Sequence, residues 1–496
     1  MYRKSFKGEE QLSLELGTFN NPFSKQLDPE NRWVKLSSLI PWEKFEKQYS
    51  DNFRLVGRQA YPFRTALGAL LIQTKLSITD RELVLHISEN PYLQFFLGMP
   101  EYSNRCPFDD STVTHFRKRI TSEMINAINE DIINVNVPKN EKEDDDLNSD
   151  GGNSGKIILD ATCAPEDLRH PTDLSLLDDV RQSTEEILDM LWEASLRKWR
   201  GRKPRTHRVR ARKVALSVMK KRKPRLPEIW KAIRIQMNCV RRNLDSIGVL
   251  SKHASLCCLS KRHYKDLLVS AEVLKQQEAL YQKRRRKEHP SIPDRIVSLC
   301  KPHVRPIIRG KAAAPVEFGM KLSIAVHEGF THLDYLSFNP YHEGLLLPSH
   351  VELFKKRTGF YPEAVQADGV YRTRDNRAYC KERNIRLSGK PLGRPMEIPI
   401  IVEGDRRLML RDERERNEVE SKFGIGKRRY GLQKIMTKLA GTSMTAVTLI
   451  LTMMNLEKIL RDLFLSLPFH LRQPFGNTII GFWEIQEWEI CPSLAA

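Results

Sequence analysis

Several things are scarce in this 496-residue chain. The eight cysteines stand at 106, 163, 239, 257, 258, 300, 380 and 491, and no two have Cys-x-x-Cys spacing. That excludes the ordinary zinc signatures and offers no disulfide framework, which fits a reducing cytosol. Long apolar runs are missing as well. Met444 to Met454 is the best candidate, but it falls short of the roughly 20 residues that span a bilayer; a buried core helix is expected there, and no membrane partner. Met1-Tyr-Arg-Lys-Ser-Phe-Lys7 carries charge without a following apolar segment, so no secretory signal is expected. Acidic residues are the remaining deficit: 62 Asp+Glu stand against 82 Lys+Arg, a formal net charge of +20. Such a field attracts a polyanion, and nucleic acid is expected, because Lys and Arg release counterions from phosphates whatever the base sequence.

Composition divides the chain. Lys139 to Gly155 is acidic and then Gly/Ser/Asn-rich, cannot bury apolar surface, and reads as a linker over 139–155. Residues 1–138 upstream of it read as a helical unit expected to fold separately. Thr79-Asp-Arg-Glu82 is a capping box, Asn90-Pro91 a helix stop, and Phe108 to Ser111 the start of a helix bearing Arg117-Lys-Arg119. Short helices with one basic face suggest a helix-turn-helix reader with Arg117 and Arg119 on DNA; the alternative is a small bundle for protein contacts. Residues 174–303 read as a charged helical insertion. Within it, Arg197 to Arg225 holds fifteen Lys or Arg and no acid, so Arg208, Arg210, Arg212 and Lys213 are expected on the phosphate backbone. Residues 466–496 carry no recognised pattern.

What is present in the right pattern is a set of three carboxylates. Asp160 follows the apolar run Lys156-Ile-Ile-Leu, Asp368 follows Ala364-Val-Gln-Ala, and Glu420 lies in the charged, helix-favouring stretch Arg416 to Phe423. The two aspartates are expected at the ends of buried strands opening onto a site rim. Further strands are expected at Val304 to Ile308, Lys321 to Val326 and His332 to Leu336, the last two joined by a Gly-containing turn as a hairpin. Helices are expected at Glu343 to Thr358, Thr373 to Arg383 and Arg411 to Lys422. Hard Mg²⁺ ions take oxygen ligands, and two of them can stabilise both oxygens of an in-line phosphoryl displacement.

The order Asp160, Asp368, Glu420, on strand, strand and helix, resembles the DDE transposases of bacterial insertion sequences. Arg416, Glu420 and Lys427 reproduce an R-x3-E-x6-K element, with Glu413 where a tyrosine is usual. Further motifs are similar to the InsH-like members: Tyr61-Pro-Phe-Arg64, Phe116-Arg-Lys-Arg119, Asp160-Ala-Thr162, Glu317-Phe-Gly319, Ala367-Asp-Gly-Val-Tyr371 and Lys422-Phe-Gly-Ile-Gly426. The resemblance implies an α/β RNase H-like catalytic domain (156–173 and 304–465), interrupted by the helical insertion and preceded by an all-α N-terminal domain. It implies Asp160, Asp368 and Glu420 as ligands of two Mg²⁺ ions, with Mn²⁺ as a substitute, and Arg416 and Lys427 against phosphate. The reaction implied is cleavage at the element's terminal inverted repeats and joining to target DNA, by a homo-oligomer on double-stranded DNA in the cytoplasm at the nucleoid. The alternatives are an RNase H-like nuclease without strand transfer and a catalytically idle DNA-binding derivative.

Overall fold

Alternation of apolar and polar residues and one tight turn build the centre of the molecule. The computed structural model describes residues 26–53, 59–136, 152–195, 201–309, 315–389 and 403–470, with side chains of the last segment from 407 to 464. Most of the linker, Arg197 to Arg200 and the tail after 470 lie outside the described residues. The sheet contains β1 (Lys156–Pro165), β2 (Arg305–Ile308), β3 (Val316–His327), β4 (Phe330–Ser337), β5 (Ala364–Ala367) and β6 (Arg386–Leu387). Strand order is β2-β3-β1-β5-β6, and β4 pairs with β3 beyond β2. β3 is antiparallel to β1, β2 and β4, while β5 runs parallel to β1 and to β6. Glu328 and Gly329 close the β3–β4 hairpin with φ of 49° and 75°, the left-handed pair that a two-residue hairpin turn favours.

Helices cover both faces. On one lie α1 (Arg32–Leu39), α2 (Trp42–Ser50), α3 (Phe63–Leu76), α4 (Asp80–Glu89), α5 (Pro91–Phe96), α6 (Asp110–Arg119) and α7 (Ser122–Asn136). The Thr79–Glu82 capping box at the start of α4 forms as the sequence predicts. The insertion supplies α8 (Asp173–Ser195), α9 (Arg208–Met219), α10 (Leu226–Leu250) and α11 (Lys261–Arg285), which bury apolar clusters of their own around Val180, Val240 and Val273, and around Leu188, Leu191 and Leu250. α12 (Leu347–Thr358) and α13 (Arg374–Glu382) cover the opposite face of the sheet, packing on Ile157, Leu159 and Val365. α14 (Glu403–Arg429) and α15 (Ala440–His470) return to the first face.

α15 is the hinge of the packing. The helix expected over Met444 to Met454 runs on because Leu456, Ile459 and Leu460 continue its buried face. Its stretch Ala440–Phe464 is long and apolar enough to cross a membrane by length and composition, but 78% of the most apolar window is buried inside the protein. It is a core helix: α1, α3, α6 and α7, the face of β1, β3 and β4 that carries Ile158 and Ile324, and α14 all join it in one apolar cluster. Asn455 stitches the layers, giving its amide to Thr331 O (2.7 Å) and Asn129 Oδ1 (2.8 Å) and accepting from Thr331 N (2.9 Å). A buried amide with those partners satisfied stabilises one packing over its neighbours.

Candidate active site

The side-chain alternation of β1 places Ile157 and Leu159 under α12 and turns Ile158, Asp160, Thr162 and Ala164 to the face of α14 and α15. Asp160 stands in the middle of a ten-residue strand, not at its end as the sequence suggests. The reason lies in its two neighbours: antiparallel β3 pairs with β1 out to Pro165, whereas parallel β5 stops opposite Leu159. Beyond that point one edge of β1 is open. Asp368 is the first residue past β5, one register step after the Leu159–Ala367 pair, and it caps the turn Gly369–Tyr371 by accepting from Gly369 N at 2.7 Å. The two aspartates therefore stand on neighbouring segments of the sheet, Asp160 within β1 and Asp368 just past the end of β5.

Electrostatics reflect that crowding. Burial, with added like charge from Glu343 and Asp368, pushes the Asp160 carboxyl up to about 6, against the Ala161 N–H (2.8 Å) and Arg416, which draw it down. Glu343 opens the short turn Glu343–Leu346 ahead of α12 and pairs with Lys321 at 2.7 Å. No periodicity or motif in the sequence singles it out. Its turn is pressed on the Asp368 turn: a Cβ at Gly344 would meet Val370 O at 2.6 Å, and Asn376 Nδ2 bridges Gly344 O (2.6 Å) and Tyr371 O (2.7 Å).

α14 lies across β1 and β5. Near its middle Asp412 and Glu415 hold Gln366 of β5 (3.0 and 2.5 Å), and Asp412 also pairs with Arg386. Farther along, the Arg416 charge acts on Asp160, and Lys427 Nζ donates to Thr162 Oγ1 at 3.0 Å, where Arg309 also donates at 3.2 Å. Val419 and Phe423 anchor the helix in the core. Glu420 sits between the two contact points, one helical turn from Arg416, with a loose 3.9 Å pair to it and 59% of its side chain exposed. Among the described residues no three His, Cys, Asp or Glu side chains are gathered at metal-binding distance. The fold brings Asp160 and Asp368 together and leaves Glu420 on the helix that crosses them.

The candidate DNA contacts separate into two kinds. Arg210, Arg212 and Lys213 are exposed on α9 and form no ion pair among the described residues. Arg208 is instead held with Lys203 by Asp189 of α8 (2.9 and 2.8 Å), a counter-charge that lies outside the acid-free run. Arg117 is likewise engaged, forked onto Asp80 and donating to Gln73 at 2.6 Å, while Arg119 is exposed with its guanidinium 4.5 Å from the Phe53 ring. Asp173 is the first residue of α8 and binds Arg284, Arg295 and Gln277.

Comparison with known proteins gives three findings. A family model described as "Transposase DDE domain" matches residues 365–457, a span that holds Asp368, Arg416, Glu420 and Lys427. A second, "Transposase domain (DUF772)", matches residues 21–119. The chain is 30% identical over 165 residues to "Uncharacterized protein ORF8 in nfe locus" of Rhizobium meliloti, covering 32% of this chain and 74% of that protein. No solved structure matches.

Proposed function

This chain belongs to the DDE transposases of insertion-sequence type, and we propose that it cuts DNA at the terminal repeats of its own element and joins those ends to target DNA. The observation that carries the reading is the juxtaposition of Asp160 and Asp368 under α14, whose Arg416 and Lys427 act on the same strand. A mixed sheet in which a hairpin precedes alternating strands and helices, with one aspartate in β1 and the other just past the end of the adjacent β5, supports an RNase H-like catalytic unit formed by 156–173 and 304–465. The helical insertion 174–303 and the N-terminal domain 1–138 then serve DNA contact.

Asp160 and Asp368 offer a hard divalent cation the oxygen ligands it takes. A half-buried aspartate with two further carboxylates near it regains its ionised form when positive charge sits among them. Asp160, Asp368 and Glu420 would hold two Mg²⁺ ions, which when bound supply charge stabilisation for the attacking and leaving oxygens. The rest falls to the protein. Arg416 and Lys427 neutralise the phosphate that approaches the open edge of β1. Arg210, Arg212 and Lys213 grip backbone phosphates away from the site. Positioning and charge are the main demands of phosphoryl transfer, so no covalent protein intermediate is needed.

The test is a joining assay. The full-length chain is incubated with Mg²⁺, a duplex carrying the ends of the element that encodes it, and a target plasmid. Cleaved ends and plasmid-joined ends are expected together. Cleavage without joined product would make the chain a nuclease, and neither product would overturn the reading.

A further inference from the structure

Below the sheet, on the face opposite Asp160, runs a line of buried polar groups that the proposed reaction does not use. The Tyr371 hydroxyl lies 3.4 Å from Ser323 Oγ, and Ser323 Oγ lies 2.9 Å from His350 Nε2. His350 Nδ1 is hydrogen-bonded to Asp334, Arg357 Nη2 pairs with Asp334 at 2.7 Å, and Arg357 Nε reaches Glu130 of α7 at 3.0 Å. Serine, histidine and aspartate in that order have the form of a hydrolase triad, but Ser323 and His350 are 0% and 1% exposed, so no substrate reaches them.

A local irregularity builds the line. The β3–β4 pairing shifts register at Ser323 and Ile324: Ser323 pairs with Tyr335 and Ile324 with Leu333, which leaves Asp334 as the extra residue of β4. A bulge of this kind re-aims a side chain, and here the side chain it re-aims meets His350 on α12. The other end of the line is Tyr371, last residue of the turn that begins at Asp368. Ser323 is also the β3 partner of Ala161, next to Asp160. Ser323 thus pairs through its backbone with β1 beside Asp160 and reaches, through its hydroxyl, the turn that follows Asp368.

We infer that Tyr371, Ser323, His350 and Asp334 form a buried positioning chain that sets the Asp368 turn against β1 and so fixes the spacing of the two active-site aspartates. The inference rests on the proposed role of Asp160 and Asp368. With Nδ1–H given to the Asp334 carboxylate, the neutral ring accepts the Ser323 hydroxyl proton at Nε2, and Ser323 Oγ is left to accept from the Tyr371 phenol. Each group then has one orientation, and the turn cannot slide without breaking a buried hydrogen bond. Loss of groups that orient metal ligands typically costs about 10–100-fold in metal affinity or activity.

The test uses full-length Tyr371→Phe and Ser323→Ala, each of which removes one hydroxyl, together with His350→Gln and His350→Asn. Three quantities are measured: dissociation constant for end-bearing duplex, single-turnover cleavage rate with Mg²⁺, and Mn²⁺ affinity by electron paramagnetic resonance. Tyr371→Phe and Ser323→Ala are expected to unfold cooperatively and bind DNA as the parent does, with cleavage and Mn²⁺ affinity each lowered about tenfold. His350→Gln places an amide where Nε2 stood and keeps the link to Ser323; His350→Asn places one where Nδ1 stood and loses it. Cleavage is therefore expected to survive better in His350→Gln. Parental cleavage and Mn²⁺ affinity in both hydroxyl variants would overturn the inference, and so would equal activity of the two His350 variants. A parent chain that cuts no DNA would sink the transposase reading alone, since the Mn²⁺ affinities would still decide for or against the chain of hydrogen bonds.

Discussion

Lys427, near the end of α14, donates a 3.0 Å hydrogen bond to the hydroxyl of Thr162, two residues past Asp160 on β1. This contact spans 265 positions of sequence and fixes the helix that bears Glu420 to the strand that bears the first aspartate. Thr162 is 3% exposed and accepts from Arg309 as well, so one buried hydroxyl holds two cations at the edge of the site.

The coupling between these residues is measurable. Thr162→Val should cost about 1.5–3 kcal/mol of stability, the usual contribution of a hydrogen bond to a charged donor. Lys427→Met should lower cleavage by about a hundredfold by removing a preorganised charge. In a double-mutant cycle followed by urea unfolding, a coupling of about 1 kcal/mol is expected. Strict additivity would show that the contact does not hold α14 to β1.

Glu46 makes the stability of the N-terminal helices depend on pH. It is 4% exposed, and burial pushes its carboxyl up to about 7. The folded state therefore holds this proton more tightly than the unfolded chain, so the stabilisation is present below about pH 4.5 and is lost as pH rises through 7. Glu46→Gln removes the dependence. Its urea midpoint should match the parent's near pH 4.5 and exceed it at pH 8 by the equivalent of about 3 kcal/mol. The same difference at both pH values would contradict a buried, proton-holding Glu46.

The basic helix of the insertion should divide by ion pairing. Arg210, Arg212 and Lys213 are unpaired among the described residues, and Arg208 is held by Asp189. Replacing the three by Gln should reduce the slope of log K against log salt by roughly 2–3, equally for end-bearing and random duplex. Arg208→Gln should leave the slope nearly unchanged. Loss of specific binding alone would mean that the helix reads bases.

Legibility in the sequence followed how local each determinant is. β5 was readable to the residue, because Ala364 to Ala367 is a short apolar run closed by Asp368-Gly369, and the Thr79 capping box needs only four residues. β1 ran past its apparent end at Asp160 because β3, more than 150 positions away, pairs with it out to Pro165. Arg208 and Arg117 looked free because their counter-charges, Asp189 and Asp80, stand outside the basic runs. Glu343, Ser323 and His350 carried no signal at all. Their placement depends on a register shift and on a turn packed against another turn, neither of which leaves a periodic trace. Nor does composition announce that α15 closes one core with the N-terminal helices, since an apolar stripe does not name the surface it will cover.

The most direct test of the account is to replace the three carboxylates one at a time. Asp160→Ala, Asp368→Ala and Glu420→Ala should each lower Mg²⁺-dependent cleavage of end-bearing duplex by about a thousandfold or more, because each removes an ion ligand. Each should bind that duplex within a few-fold of the parent, since phosphate contact lies elsewhere. Cleavage near the parental rate by any one of the three would remove that residue from the site. For Glu420, which the fold leaves exposed on α14, such a result would move the third ligand to another carboxylate.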